Sequence, residues 1–431
     1  MSNQLTTVVD KLEVISETGE ATDVSGGFHE FAYYESLFSP HITAYLGIID
    51  TGNIKSKTDT QERPADIVSA IPIRGKENLN LVLCHKTGRL SFGANQAGDY
   101  PLRIVSTIST SEKGKNIIYL QTTSQIAVKN KKKVLAGAYK GLISNSVSKI
   151  FDLLLSESPS RVRVIDPTKN ALDFKGSQIE RPLDKLIDLA TQSISVNSDG
   201  TPGYFVFETQ DGVSFRSVQE MCNAGSELVY SHGEGQVARE EGDFRIIYFT
   251  EQQDFNLLKS MESGAYAARF IEWSPYNLEY KEEIVKLDPN TFSNMGSEDL
   301  TAIDVDDIEA DLRTYSFITN DGNSAVGLSS ERNNDPQKWA ALSSMRYNTL
   351  FNQAINIAVP MNLQLRAGQT INCHWPRISE EKVEEGVLDQ SKSGKYLILH
   401  LSHHFKSTPQ VGSMTYMTVI RDTHGLHTGV E

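Results

Sequence analysis

The stretch YFVFETQDGVSFRSVQEM, Tyr204 to Met221, decides how the chain is read, because it places Glu208, Asp211 and Arg216 close together. Such a group is either a catalytic cluster or the end of a hairpin. Asp211-Gly212 sits between two runs rich in aromatic and β-branched residues, and an Asp-Gly link supplies the positive φ angles of a type I′ turn. With that turn Glu208 lies opposite Phe215 and Arg216 opposite Phe207, so the two charges point to different faces and share no reacting atom. The expectation is a surface hairpin with charges at its polar tip.

The 431 residues suffice for two to four domains with hydrophobic cores of their own. Forty-one basic against fifty-five acidic side chains leave a formal charge of -14, which opposes general adhesion to nucleic acid or anionic lipid. The three cysteines, Cys84, Cys222 and Cys373, are odd in number and far apart, and give neither a disulfide framework nor a zinc spacing. Assembly in a reducing cytoplasm is expected. No apolar run approaches the ~18 residues of a membrane span, and the first residues lack the pattern of a secretion signal, so neither export nor stable membrane insertion is expected.

Upstream of the hairpin, FHEFAYYESLFSPHITAYLGIID, NLNLVLCHKTGRLSF and YPLRIVSTISTSEKGKNIIYLQTTSQIAV are short β runs broken by Gly, Pro, Asn and Ser, the pattern of a small antiparallel barrel. Helical periodicity follows. Ile143, Val147, Ile150, Phe151, Leu154 and Leu155 share one helical face, and Leu183, Leu186, Ile187, Ala190 and Ile194 form a second stripe with Pro182 in its first turn. Downstream come a strand in FRIIYF, a short helix carrying Phe255, Leu258 and Met261, a helix around Trp339 to Phe351, and the alternating strand Ile355, Ile357, Val359. GKYLILHLSHHF and MTYMTVIRD form a strand pair, and ISEEKVEEGVLDQSKSG before them is expected as a mobile loop. Glu298 to Arg313 carries seven acids against one arginine and is expected as a solvated linker, as is KNKKKV, Lys129 to Val134. YPLRIVSTIST with NIIYLQTTS shares its pattern with YLILHLSHHFK and MTYMTVIRD. LFSPHITAYLGIID upstream of one pair is matched with LLKSMESGAYAARFIEW upstream of the other, which suggests a duplicated β domain.

Motifs for chemistry are weak. Gly233, Gly235 and Ala238 fit G-x-G-x-x-A, but Gly242 interrupts the long helix a dinucleotide site needs. His400, His403 and His404 are dense, yet on a strand His400 and His404 stand ~13 Å apart and His403 faces the other way, so a shared metal is not expected. Asp304, Asp306, Asp307 and Glu309 lack the central glycine and closing glutamate of a calcium loop. G-x-S-x-G and H-E-x-x-H are absent, while a carboxylate pair for glycoside hydrolysis leaves no sequence signature.

The ordered series YYESLFSPHITAYLGIID, YFVFETQDGVSFRSV, SGAYAARFIEW, VPMNLQLRAGQTI, SGKYLILHLSHHF and YMTVIRDTHG resembles the central baseplate hub protein of contractile-tailed, T-even-type phages over most of the chain. The acidic insertion near 294–313 and the loop 377–394 depart from that family. The resemblance implies an α+β, mainly β fold: two related antiparallel β-barrel tube domains, an interrupting mixed α+β domain and a small C-terminal region. The corresponding limits are 1–128 for the first tube domain, 129–225 for the mixed domain, completed by about 275–318, 226–274 with 319–405 for the second tube domain, and 406–431 for a spike-proximal segment. It also implies a non-enzymatic virion protein of the tail baseplate, without cofactor or metal and assembled in the host cytoplasm. Its homotrimeric ring would adapt a hexameric tail tube or tube initiator to a trimeric spike, because two barrels in each of three subunits make six similar units. Wedge and other baseplate proteins and a tape-measure protein are implied partners, with DNA in transit through the channel. On this reading subunit contacts fall at Tyr33, Tyr34, Glu35, Leu37 and Phe38 in the first copy and around Tyr396 in the second. The competing classes are a peptidoglycan or glycoside hydrolase of a tail and a carbohydrate-binding tail module.

Overall fold

The computed structural model describes residues 8–50, 54–55, 64–65, 71, 73–93, 100–112, 115–197, 200–233, 244–253, 256–275, 278–287, 292, 294–297, 313–318, 336–378, 383–407 and 412–425. The first part is antiparallel: β1 (Val8–Ile15), β2 (Ala21–Asp23), β3 (Phe28–Ser36), β4 (Thr43–Asp50), the short pair β5 (Ile54–Lys55) and β6 (Pro64–Ala65), β7 (Asn78–His85), β8 (Gly88–Phe92), β9 (Leu102–Glu112) and β10 (Lys115–Thr123). Alternate residues turn inward, so Phe31, Tyr33, Leu46, Ile48, Ile118 and Leu120 meet in one core. Each such aliphatic or aromatic side chain contributes about 1.5–3 kcal/mol by leaving water.

The middle part holds α1 (Gln125–Lys132), β11 (Ala138–Tyr139), α2 (Ile143–Leu154), β12 (Val162–Ile165), β13 (Phe174–Lys175), α3 (Pro182–Gln192), β14 (Tyr204–Glu208), β15 (Gly212–Ser217) and α4 (Val218–Asn223). The α2 stripe is buried as its spacing requires, and Pro182 opens α3, where its missing N–H costs nothing. The α3 stripe is rotated from the expected one: Leu189 is buried and Ile187 is 45% exposed. KNKKKV is not simply a solvated connector, since Lys129 is buried in α1 and pairs with Glu157 at 3.3 Å.

The last part contains β16 (Val229–Ser231), β17 (Tyr248–Gln253), α5 (Leu257–Glu262), β18 (Ala267–Ser274), β19 (Glu279–Lys286), β20 (Arg313–Ile318), α6 (Pro336–Thr349), β21 (Gln353–Pro360), β22 (Thr370–His374), β23 (Pro376–Ile378), β24 (Val383–Leu388), β25 (Gly394–Lys406) and β26 (Met414–Arg421). Ile355, Ile357, Val359, Tyr396, Leu401 and Met417 form its core. FRIIYF becomes a strand only from Tyr248 onward. The stretch expected as a mobile loop contributes the hairpin β23–β24, and Ser393 at its end is buried against Trp375. β18 is not the counterpart of β4 that the matched upstream blocks suggested: β4 lies between β3 and β10, whereas β18 belongs to a separate three-stranded sheet with β19 and β20, packed on α6. The acidic stretch lies outside the described residues except for Arg313, which opens β20.

The two β-rich parts are joined edge to edge. β25 pairs antiparallel with β3 from His400↔Ser36 to Lys406↔Glu30, so the main sheet runs β17-β21-β26-β25-β3-β4-β10-β9 and on to β7, β1 and β2. β26 lies between β25 and β21, so the strands of the last part run through to Arg421 rather than stopping before a separate C-terminal segment.

Candidate functional site

The β14–β15 hairpin is not at the surface. Its register is Glu208↔Val213 and Phe205↔Arg216, two residues from the expected partners, because the turn falls one residue earlier. Thr209 and Gly212 close the turn through two backbone bonds, Thr209 N–H to Gly212 O at 2.8 Å and Gly212 N–H to Thr209 O at 3.2 Å. Gln210-Asp211 is therefore the turn, and Gly212 does not adopt a positive φ. Gly212 is required for proximity instead: a Cβ there would lie 2.3 Å from the carbonyl oxygen of Val162 on the parallel neighbour β12. Glu208 and Arg216 do face opposite sides, and Arg216 pairs with Asp166 at 3.6 Å.

The tip is inserted where the three parts meet. From the first part, the carboxylate of Glu35 accepts the Gln210 N–H at 2.7 Å, the Ala367 N–H at 2.8 Å and the Tyr33 hydroxyl, so one β3 side chain holds both the hairpin and the last part. From the hairpin, Glu208 accepts the Ile42 N–H at 3.1 Å. Arg161 lies 3.4 Å from Glu208 and donates to the carbonyls of Thr209 and Gln210, both at 2.7 Å. From the last part, Arg366 grips Asp211 through two bonds of 2.9 and 3.0 Å and donates to its own loop at Leu363 and Leu365. Burial pushes the carboxyls of Glu35 and Glu208 up, opposed by Arg366 at the first and Arg161 at the second. Such buried carboxylates persist because backbone N–H groups and guanidinium replace the lost water. The arrangement is a three-way clamp, in which Glu35 and Glu208 are buried and engaged.

Gly368 fits the same junction tightly. It has φ +81, and a Cβ there would come within 2.8 Å of the Phe207 ring. A second buried pair, Arg346 with Asp422 at 2.8 Å, ties α6 to the end of β26. Sequence reading missed Arg161, Arg366 and this pair, since each partner lies far away in the chain.

No family model matches the sequence, and no curated protein matches it. Among solved structures, the tail protein from Neisseria meningitidis MC58 aligns with a TM-score of 0.54 at 10% identity, over 96% of this chain and 96% of that one. The 43 kDa tail protein of prophage MuSo2 from Shewanella oneidensis aligns with a TM-score of 0.52 at 9% identity, over 96% of this chain and 100% of that one. The fold is that of these tail proteins.

Within the tail-protein fold the residues expected at subunit contacts divide. Tyr33, Glu35, Leu37 and Tyr396 are interior: Tyr33 stacks on His403 with centroids 6.0 Å apart, Leu37 packs among Phe207, Met221 and Leu399, and Tyr396 donates to Gln353 and to the Lys392 carbonyl. Tyr34 and Phe38 reach the surface, Phe38 with 53% exposure although it stacks on Phe351 at 5.8 Å. His403 is buried against the Thr415 hydroxyl at 2.9 Å, while His400 and His404 lie on the other face, as their strand spacing requires. Gly235 and Ala238 of the glycine motif and Asp304, Asp306, Asp307 and Glu309 lie outside the described residues.

Proposed function

We propose that the chain is the central hub of a tail baseplate: three copies close into a ring that adapts a sixfold tube to a threefold spike and surrounds a channel for genome passage. The observation that carries this reading is the main sheet, which has unpaired strand edges at β17, one of its ends, and along most of β9 within it. Among the described residues β17 pairs with β21 alone, and β9 leaves β7 after Arg103, so residues 105–112 have β10 on one side and no strand on the other. Unpaired strand edges recruit further strands, and a sheet with two different open edges makes the head-to-tail contacts from which rings close. Because β25 and β3 fuse the two β parts and the clamp holds them, the edges are presented in a fixed relation.

In this hub the two β parts of each of three subunits supply six units facing the tube, and the spike, tube or tube initiator, wedge proteins and a tape-measure protein are its partners in the virion. The role is architectural and non-enzymatic. The domain limits 1–128, 129–225 completed by about 275–318, and 226–274 with 319–405 joined by β26, with Tyr34 and Phe38 as subunit contacts, belong to the same proposal. Light scattering on the protein alone and with its cognate spike tests it. A trimeric mass with the spike and an end view of six similar lobes are expected; a monomer in both cases refutes the ring.

A further inference from the structure

The small sheet of β18, β19 and β20 has one face committed to packing and one that is not. Ala268, Phe270 and Val285 turn inward and share a core with Met345 of α6. The opposite face carries the cross-strand pairs Trp273↔Tyr280, Ile271↔Glu282 and Arg269↔Ile284. Trp273 and Tyr280 stand directly opposite each other and are 43% and 61% exposed. The core of this sheet does not need two large rings on its outer side, and adjacent exposed aromatics mark a surface that meets something else. The polar groups beside them are already fixed. Glu282 accepts the Tyr280 hydroxyl at 3.0 Å through one carboxylate oxygen and pairs with Arg269 at 3.3 Å through the other. Both charged groups stay partly exposed, so the carboxylate keeps lone pairs and the guanidinium keeps donors for a further molecule.

We propose that this face is a saccharide-binding site, with Trp273 and Tyr280 as the platform on which a pyranose ring lies and Glu282 and Arg269 as the groups that hold its hydroxyls. An aromatic face is electron-rich, and one side of a pyranose presents weakly positive C–H groups to it while the hydroxyls project from the rim. A hydroxyl both donates and accepts, so a neutral sugar suits a carboxylate beside a guanidinium. A protein partner fits less well, because it would take the exposed ion pair out of water, a cost that a flat contact offsets poorly. The site binds and does not cleave: Glu282 is the one carboxylate among the described residues of this face, and glycoside hydrolysis needs two. Binding here neither requires nor opposes ring formation.

The test uses the full-length protein and three probes, maltotriose, cellotriose and the trimer of N-acetylglucosamine, each titrated to about 10 mM with tryptophan fluorescence and saturation-transfer NMR as readouts. At least one probe is expected to bind. Tyr280→Ala and Glu282→Gln change exposed side chains and are each expected to weaken that binding by about tenfold with the Tm unchanged. Trp273→Ala is expected to abolish it, and if that variant does not fold, Tyr280→Ala carries the same test. No binding of any probe, or equal binding by wild type and both exposed-site variants, overturns the inference. A lower sedimenting mass for Tyr280→Ala than for wild type, without saccharide, would assign the face to contact between copies and overturns it as well.

Discussion

Arg366 and Asp211, 155 residues apart in sequence, meet through two parallel bonds of 2.9 and 3.0 Å at the point where the hairpin enters the seam between the β parts. A planar guanidinium matches a carboxylate in this way and fixes angle as well as distance. Asp211 is largely exposed, so the pair itself is worth little, on the order of 1 kcal/mol. Arg366 also holds two carbonyls of its own loop. Arg366→Ala is therefore expected to destabilise by about 1.5–3 kcal/mol and Asp211→Asn by less than about 1 kcal/mol in denaturant titrations. Equal losses would show that the loop bonds contribute nothing.

Gly368→Ala is expected to be more severe than its one added carbon suggests. The left-handed backbone at φ +81 costs roughly 1–2 kcal/mol for any other residue, and the 2.8 Å approach to Phe207 forces the hairpin to shift. Gly137→Ala, also at positive φ but with nothing within 4 Å, isolates the backbone part. The drop in Tm should be clearly larger at 368 than at 137, and similar drops would mean that the seam is loosely packed.

Acid sensitivity should report on His403. Burial lowers its pKa from 6.5 to about 3, so below pH 6.5 the unfolded chain takes up a proton that the folded chain refuses. Stability is full above pH 6.5 and is lost as pH falls towards 3, at no more than about 1.4 kcal/mol per pH unit. His403→Gln should flatten that loss. An unchanged slope would assign acid sensitivity to other groups.

No turnover above background is expected on peptidoglycan or chromogenic glycosides, because Glu208 is 0% exposed and engaged by Ile42 and Arg161. Activity that disappears in Glu208→Gln would overturn the architectural reading.

A chelator should leave the Tm unchanged, since His400 and His403 lie on opposite faces of β25 and cannot close on one ion. A fall of several degrees restored by zinc would contradict this.

Periodicity made much of the fold legible. The α2 stripe, the alternating Ile355, Ile357 and Val359, and the opposite orientation of His403 from its neighbours follow from local geometry and appear as expected. The hairpin was legible as a hairpin, but its depth was not: sequence shows Glu208 as a charge, while the Ile42 N–H that draws it inward lies 166 residues away. The same limit applies to Tyr33 and Tyr396, whose burial depends on His403, Gln353 and the packing of distant strands. The pattern matching β4 with β18 failed because short aromatic strands look alike whichever sheet they join.

The pairing of β25 with β3 also sets an order of events during synthesis. β3 leaves the ribosome early, but the strand that covers its edge follows about 360 residues later, roughly 20–70 s at ordinary elongation rates. For that interval the nascent first part displays an open strand edge bearing Tyr34 and Ala32, able to pair with any other extended chain nearby. Completion of the sheet is thus a post-translational, long-range step of the slow kind. Protection of that edge during the interval, rather than the sequence alone, would set the yield of native subunit.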